Sequence, residues 1–337
     1  MKLINLKNML NNKTILITGG TGSLGKALVK RILNDYPNLK RLIIYSRDEQ
    51  KQFQMAQEFS IQKFPSLRYF IGDVRDKERL LRAFKGVDYV IHAAAMKHVH
   101  ISEYNPDECI KTNIGGAENV ISASLDSDVT KVISLSTDKA CAPINLYGAT
   151  KLTSDKLFVA ANNIKGSKDI KFSVVRYGNV MGSNGSVVPF FLKKRKQGIL
   201  PITDPSMTRF NILLNQAVEM VIYALINSWG GEIFIPKIPS FKIIDLANAI
   251  DKDCNQKVVG VRAGEKIHEE MISPSDSYTT YDIGDYYVII PYNPLWHVND
   301  FVINFNAKKV EEGFSYNSKS NPERLDVDQI KELLKKF

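Results

Sequence analysis

Tyr147 and Lys151 stand four residues apart in Tyr147-Gly148-Ala149-Thr150-Lys151. On a helix that spacing puts both on one face, one turn apart, so the ammonium can sit beside the phenol and lower its pKa. A phenolate near neutral pH takes a proton from a hydroxyl, which is the proton half of an alcohol oxidation. Such pairs are frequent on helices and say little alone. Here the pair follows Ser136-Thr137-Asp138-Lys139 at the end of an apolar run, which adds hydroxyls, a carboxyl and a second amine. For a lysine in such a cluster to act as a base it must shed its proton, through burial or through nearby cations such as Lys151. The plain alternative is an Asp138–Lys139 ion pair that orders the loop.

An oxidation needs a hydride acceptor, and the N-terminal segment offers a place for one. Thr18-Gly19-Gly20-Thr21-Gly22-Ser23-Leu24-Gly25 joins the apolar run Thr14-Ile15-Leu16-Ile17 to an amphipathic stretch ending near Leu33. Gly19, Gly22 and Gly25 suit a tight turn, close approach of backbone to a pyrophosphate, and close helix–strand packing, with the phosphates meeting N–H groups at the helix start. Between a strand and a helix, the segment reads as a dinucleotide loop. The second strand should end beside the adenosine ribose, where the chain reads Tyr45-Ser46-Arg47-Asp48-Glu49. Ser46 and Arg47 suit a 2′-phosphate, favouring NADP over NAD. Otherwise Ser46 or Asp48 caps the next helix and Arg47 is solvated. Asp73, in Gly72-Asp73-Val74, is placed for the adenine edge or for a cap.

These groups need a scaffold. From residue 13 to about 177, apolar runs at 14–17, 42–45, 67–71, 88–92, 132–135 and 172–176 alternate with helix-length stretches. Strands apolar on both sides belong to a parallel sheet covered on both faces. The reading is α/β, a Rossmann-type doubly wound domain over 1–177 that carries the catalytic residues. Beyond 178 helical patterns at 215–228, 242–250 and 325–336 mix with short strands near 231–235 and 286–291. Residues 178–337 therefore read as a smaller α/β lobe, mainly for substrate, with room for the chain to cross back.

Composition sets the outer limits. The 337 residues are 44% apolar and 24% charged, which is globular. The net charge of +9 is spread out. Its densest run, Lys193-Lys194-Arg195-Lys196, reads as a solvated helix face, and no nucleic-acid signature accompanies it. No stretch is long and apolar enough for membrane insertion, and Lys7 and Asn8 interrupt any signal core, so a cytoplasmic protein is expected. Cys109, Cys141 and Cys254 are unpaired in spacing, which suits a reducing compartment and argues against a metal site.

Ile17-Thr18-Gly19-Gly20-Thr21-Gly22-Ser23, Gly72-Asp73-Val74-Arg75-Asp76, His92-Ala93-Ala94-Ala95, Leu135-Ser136-Thr137-Asp138-Lys139-Ala140, Asn145-Leu146-Tyr147, Val175-Arg176-Tyr177-Gly178-Asn179-Val180, Met207-Thr208-Arg209-Phe210 and Gly264-Glu265-Lys266 carry a resemblance that spans nearly the whole chain. They resemble the extended short-chain dehydrogenases/reductases, and within them the inverting UDP-N-acetylglucosamine 4,6-dehydratases (5-epimerising) that begin pseudaminic acid synthesis. The resemblance implies a lyase that uses NADP. Tyr147 would take the C4 hydroxyl proton as hydride leaves, with Thr137 holding the growing ketone. Lys139 would be the base for the C5 proton and Asp138 the acid for the C6 hydroxyl. Hydride returns to C6, and Tyr147 or a water reprotonates C5 from the opposite face, giving UDP-2-acetamido-2,6-dideoxy-β-L-arabino-hexos-4-ulose.

Cofactor contacts are expected from Gly19, Thr21, Gly22, Ser23, Leu24, Gly25, Ser46, Arg47, Asp73, Val74, Ala93, Ala94, Ala95, Lys97, Asn113, Tyr147, Lys151, Tyr177 and Asn179. His92 is expected as a wall of that pocket. For UDP-N-acetylglucosamine the resemblance points to Lys97, Asn179, Val187, Val188, Pro189, Thr203, Met207, Arg209, Arg262 and Glu265, the two arginines suiting a diphosphate. A homo-oligomer is also implied, a hexamer being one arrangement. The chain departs from the pattern at His100, Asn184 and Asn211. The competing readings are a retaining dehydratase, an epimerase, or a non-catalytic NADP sensor, and Asp138-Lys139 argues for the inverting type.

Overall fold

A computed structural model of the chain describes residues 9–182 and 186–336; Asn184 lies outside the described residues. The six apolar runs form β1 (Thr14–Thr18), β2 (Arg41–Ser46), β3 (Leu67–Ile71), β4 (Tyr89–His92), β5 (Lys131–Leu135) and β6 (Lys171–Val175). They pair in parallel in the order β3-β2-β1-β4-β5-β6. Along β1, Ile15 and Ile17 enter the core on one face of the sheet and Leu16 the core on the other. Neither face meets water, which is why the run carries no polar alternation. The order of connection reverses between β1 and β4. Open parallel sheets bind ligands at such a switch point, in the crevice beyond the strands' carboxyl ends.

Residues after 177 complete this sheet as well as building the smaller lobe. Strand Ile233–Pro236 pairs in parallel with β6, and Tyr286–Ile289, Thr280–Asp282 and Lys308–Lys309 follow antiparallel. Among the described residues the sheet has ten strands. Helix Leu214–Asn227 sends Val218, Val221 and Leu225 into the same core as Ile15. The chain thus leaves the first domain after β6 and returns to it twice.

The small lobe packs helices Val187–Arg195, Ile243–Asp251 and Val327–Leu334 around Val188, Phe191, Met207, Leu246 and Ile330. Three residues of the basic run, Lys193, Lys194 and Arg195, occupy the last turn of the first of these helices. There their charge complements the helix dipole. Cys109, Cys141 and Cys254 are all free thiols.

Candidate active site

The phosphate loop is built by backbone packing. Gly19 has φ 65, and a Cβ there would stand 2.8 Å from the Ala94 nitrogen. A Cβ on Gly25 would stand 2.4 Å from the Gly20 carbonyl oxygen. Gly22 is the N-cap of helix Ser23–Asp35 and offers no side chain to its first-turn N–H groups. Those donors and the positive end of the helix dipole face the switch-point crevice, as a pyrophosphate requires. Gly19 and Gly25 thus draw the loop tight against its neighbours, and Gly22 leaves the helix start open.

At the end of β2 the Ser46 hydroxyl bonds that of Thr21 at 2.8 Å, tying the strand end to the loop. The next helix, Glu49–Glu58, is capped by Asp48, which accepts the Lys51 N–H. Ser46 is therefore not the cap. The Arg47 side chain is 61% exposed and lies 3.8 Å from Asp73. Asp73 is not a cap either, since Asp76 caps helix Lys77–Ala83. Burial pushes the Asp73 carboxyl up, but hydrogen bonds from the Arg75 side chain and backbone bring it below the usual range. Arg47 and Arg75 both pair with Asp73, and Arg75 also with Glu108, so only the largely exposed Arg47 reaches out from this strand end.

At the end of β4, Thr18 accepts the N–H groups of Ala93 and Ala94 at 3.1 and 3.3 Å. Its hydroxyl then donates to His92 Nδ1 at 2.8 Å, which assigns the neutral Nε2–H tautomer. Burial, and secondarily Lys151, hold His92 at about 3. It is buried and neutral at the end of β4. Asn113 accepts the Met96 N–H and donates to the Met96 carbonyl and the Thr150 hydroxyl. Its amide is used by the protein to hold the loop after β4 to the catalytic helix.

That helix is Leu146–Ala161, started by Asn145, which accepts the Gly148 N–H at 2.7 Å. It presses on the turn Asp138–Ala140 that follows β5. A Cβ on Gly148 would stand 2.2 Å from the Lys139 carbonyl oxygen, so only glycine permits the approach. Tyr147 and Lys151 share one buried face, and the Tyr147 phenol bonds Thr137. Burial pushes Tyr147 up to about 12 and is opposed first by Lys139, not by Lys151 as the helical spacing suggests. Burial lowers Lys151, with Asp155 resisting. Tyr177 lies beside Tyr147, and its carbonyl accepts the Asp138 N–H at 3.1 Å.

Lys139 departs most from expectation. Burial lowers an amine, yet the carboxyls of Asp138 at 3.0 Å and Glu269 at 3.2 Å outweigh it and hold Lys139 above the usual lysine range. The free protein thus carries an ammonium, where a base needs an amine. The two carboxyls are pushed apart. Burial raises Asp138, while Lys139 and Arg209 together overcome burial and lower Glu269. Asp138 Oδ1 accepts from Thr137 and Lys139, whereas its Oδ2 is buried without a partner. That is the environment of a carboxylic acid with a proton to give.

Toward the small lobe, Lys139 donates to Asn179 at 3.3 Å. Arg209 Nε lies 3.7 Å from Glu269, while its Nη1 donates to the carbonyls of Thr208 and Ile267. Arg262 is exposed, so the two arginines are not equivalent. Its loop is latched to the site: the Gly264 carbonyl accepts from Asn145 at 2.7 Å, and Lys266 donates to the Cys141 carbonyl at 2.6 Å. Glu265 Oε2 is buried without a partner. Val188 and Met207 pack in the small-lobe core, Val187 and Pro189 open the helix beside them, and Thr203 follows strand Ile199–Ile202. Asn211 pairs with Asn179 across neighbouring strands.

Two buried residues escaped the sequence reading. Asp155 accepts from Ser136 at 2.7 Å and pairs with Arg176 at 3.3 Å. Its place four residues after Lys151 was a signal. Glu269 had none, since two adjacent glutamates ordinarily mark a surface.

Residues 15–291 match the family described as "Polysaccharide biosynthesis protein". The chain is 58% identical to a UDP-N-acetylglucosamine 4,6-dehydratase (inverting) of Campylobacter jejuni subsp. jejuni serotype O:2, covering 97% of this chain and 98% of that one. It is 42% identical to a UDP-glucose 4-epimerase of Rickettsia conorii, with 97% and 96% covered. The solved structure of Pen from Bacillus thuringiensis superimposes with a TM-score of 0.88 at 36% identity, covering 97% of this chain and 98% of that one.

Proposed function

The chain belongs to the polysaccharide biosynthesis protein family, and on that premise we propose that it is an inverting UDP-N-acetylglucosamine 4,6-dehydratase that uses NADP. The observation that carries the reading is the cluster of buried Asp138 and Tyr147 with half-buried Thr137 and Lys139 beyond the end of β5, an acid and a lysine side by side. An epimerase acting only at C4 needs neither.

The glycine loop, the open helix start and the exposed Arg47 guanidinium fit a phosphorylated dinucleotide. When bound, its nicotinamide supplies the oxidation and reduction at the sugar. Tyr147 then has one task, to take the C4 hydroxyl proton. Lys139 and the positive nicotinamide favour the phenolate that burial alone disfavours. Thr137 donates to the developing ketone oxygen. With C4 a ketone, the C5 proton is acidic; Lys139 as amine removes it, and Asp138 gives its proton to the departing C6 hydroxyl. Arg209 and Arg262 flank the place for the diphosphate. The same reading gives the first step of pseudaminic acid synthesis, in the cytoplasm, by a homo-oligomer.

Incubation with UDP-N-acetylglucosamine in deuterated water, followed by proton NMR, tests this. A 6-deoxy-4-keto sugar of L-arabino configuration with deuterium at C5 is expected, and Lys139→Ala should form none. A D-xylo product would replace the proposal with a retaining dehydratase. A C4 epimer without a C6 methyl would favour the activity named for the Rickettsia relative.

A further inference from the structure

Glu269 lies just before strand Glu270–Ile272, far along the chain from the catalytic turn, and is 2% exposed. Its Oε1 stands 3.2 Å from Lys139 Nζ and 3.7 Å from Arg209 Nε, while its Oε2 is buried with no partner. Lys139 Nζ also lies 3.0 Å from Asp138 Oδ1 and donates to Asn179. The ammonium is thus held by two carboxyls delivered from different elements. Elimination requires the same nitrogen as a free amine, so its proton needs somewhere to go.

We propose that Glu269 is a positioning residue of the elimination, holding the Lys139 ammonium against Asp138 and taking the proton that Lys139 must release before it can act on C5. The inference rests on the dehydratase reading above. Transfer turns ammonium and carboxylate into amine and carboxylic acid. The amine then takes the C5 proton and becomes ammonium again. The C5–H electron pair enters the C5–C6 double bond, and the C6 hydroxyl leaves as water with the proton of Asp138. No oxidant or reductant enters this step.

The surroundings distinguish the two carboxyls. Lys139 faces Asp138 from its own turn, Glu269 and Arg209 from the small-lobe side, and Tyr147 from the catalytic helix. Lys139 first, then Arg209 and Lys266, keep Glu269 ionised against burial, so it is the carboxyl with room for a proton, and its strongest restraint lifts as Lys139 gives that proton up. Burial keeps Asp138 protonated for the leaving hydroxyl. A salt bridge to Glu269 thus becomes an exit for a proton once substrate is bound.

Glu269→Gln preserves shape and an acceptor oxygen but cannot take a proton. The expected kcat at pH 7 falls about 100-fold, the usual scale of one proton-transfer group. It then climbs toward alkaline pH, close to tenfold per unit, as Lys139 loses its proton to water instead. Wild type should stay flat over the same range, and deuterium entry at C5 should follow kcat. Glu269→Asp should keep the flat profile at a reduced rate. A Gln variant slowed equally at every pH, or not slowed, overturns the proposal. If that variant fails to fold, a steep profile in Glu269→Asp does so instead. Wild type making no inverted product removes the dehydratase reading itself, a result separable from any variant's profile.

Discussion

Gly148→Ala adds one methyl group where the catalytic helix meets the turn of Lys139. The new Cβ would lie 2.2 Å from the Lys139 carbonyl oxygen and 3.1 Å from its carbonyl carbon, against ordinary contact beginning at 3.4 Å. Both obstacles are backbone, so no side chain can swing aside, and helix and turn must part by roughly an ångström. Overpacking of this kind costs about 1–3 kcal/mol of stability. Catalysis should suffer more, because the displaced pair is Tyr147 against Thr137 and Lys139. A misplacement of about 1 Å commonly costs about 100-fold in rate. The assay is kcat for the dehydrated sugar by NMR, together with the thermal midpoint of the same preparation. Gly115→Ala is the control: that residue is helical in φ, and its Cβ would meet nothing within 4 Å. It should leave both quantities close to wild type. A Gly148→Ala enzyme with unchanged kcat and midpoint would refute the claim that glycine is required for this contact.

Two further outcomes follow from the cofactor end of the site. Arg47→Ala should weaken NADP binding by about tenfold or more, as expected for a lost charge-assisted hydrogen bond, and leave NAD nearly unaffected. Calorimetric titration with both dinucleotides checks this, and equal weakening of the two would contradict the assignment of Arg47 to the 2′-phosphate. His92 titrates at about 3 in the folded protein against 6.5 for an ordinary histidine. As pH falls below 6.5 the unfolded chain gains a proton that the folded chain refuses, so stability drops progressively toward pH 3; above 6.5 the group contributes no pH dependence. Urea unfolding at pH 7.5 and pH 5 should therefore show a smaller loss for His92→Gln than for wild type, and equal losses would contradict the buried neutral imidazole.

Much of this molecule is legible locally. A strand buried on both faces must be apolar throughout, so six runs announced β1 to β6 and their parallel sheet. The phosphate loop is legible because φ, backbone clearance and helix-start chemistry are properties of a few consecutive residues, and Tyr147 and Lys151 because helical spacing alone puts them on one face. Long-range placement is different. That Ile233–Pro236 returns to pair with β6 depends on an edge that exists only after β6 has formed. That Asn113 ties Met96 to Thr150 is likewise settled only once those segments are packed around it.

The protonation of the acid–amine pair lies furthest from the sequence. Asp138 and Lys139 are neighbours in any conformation, and their types alone leave open which holds the proton. Burial of Asp138 and the arrival of Glu269 and Arg209 from distant segments decide it. The sequence by itself determined which chemical groups are available and which of them share a strand end or a helix face. Tertiary structure decided their charge states, because desolvation and Coulomb attraction act through space between segments that carry no mark of one another.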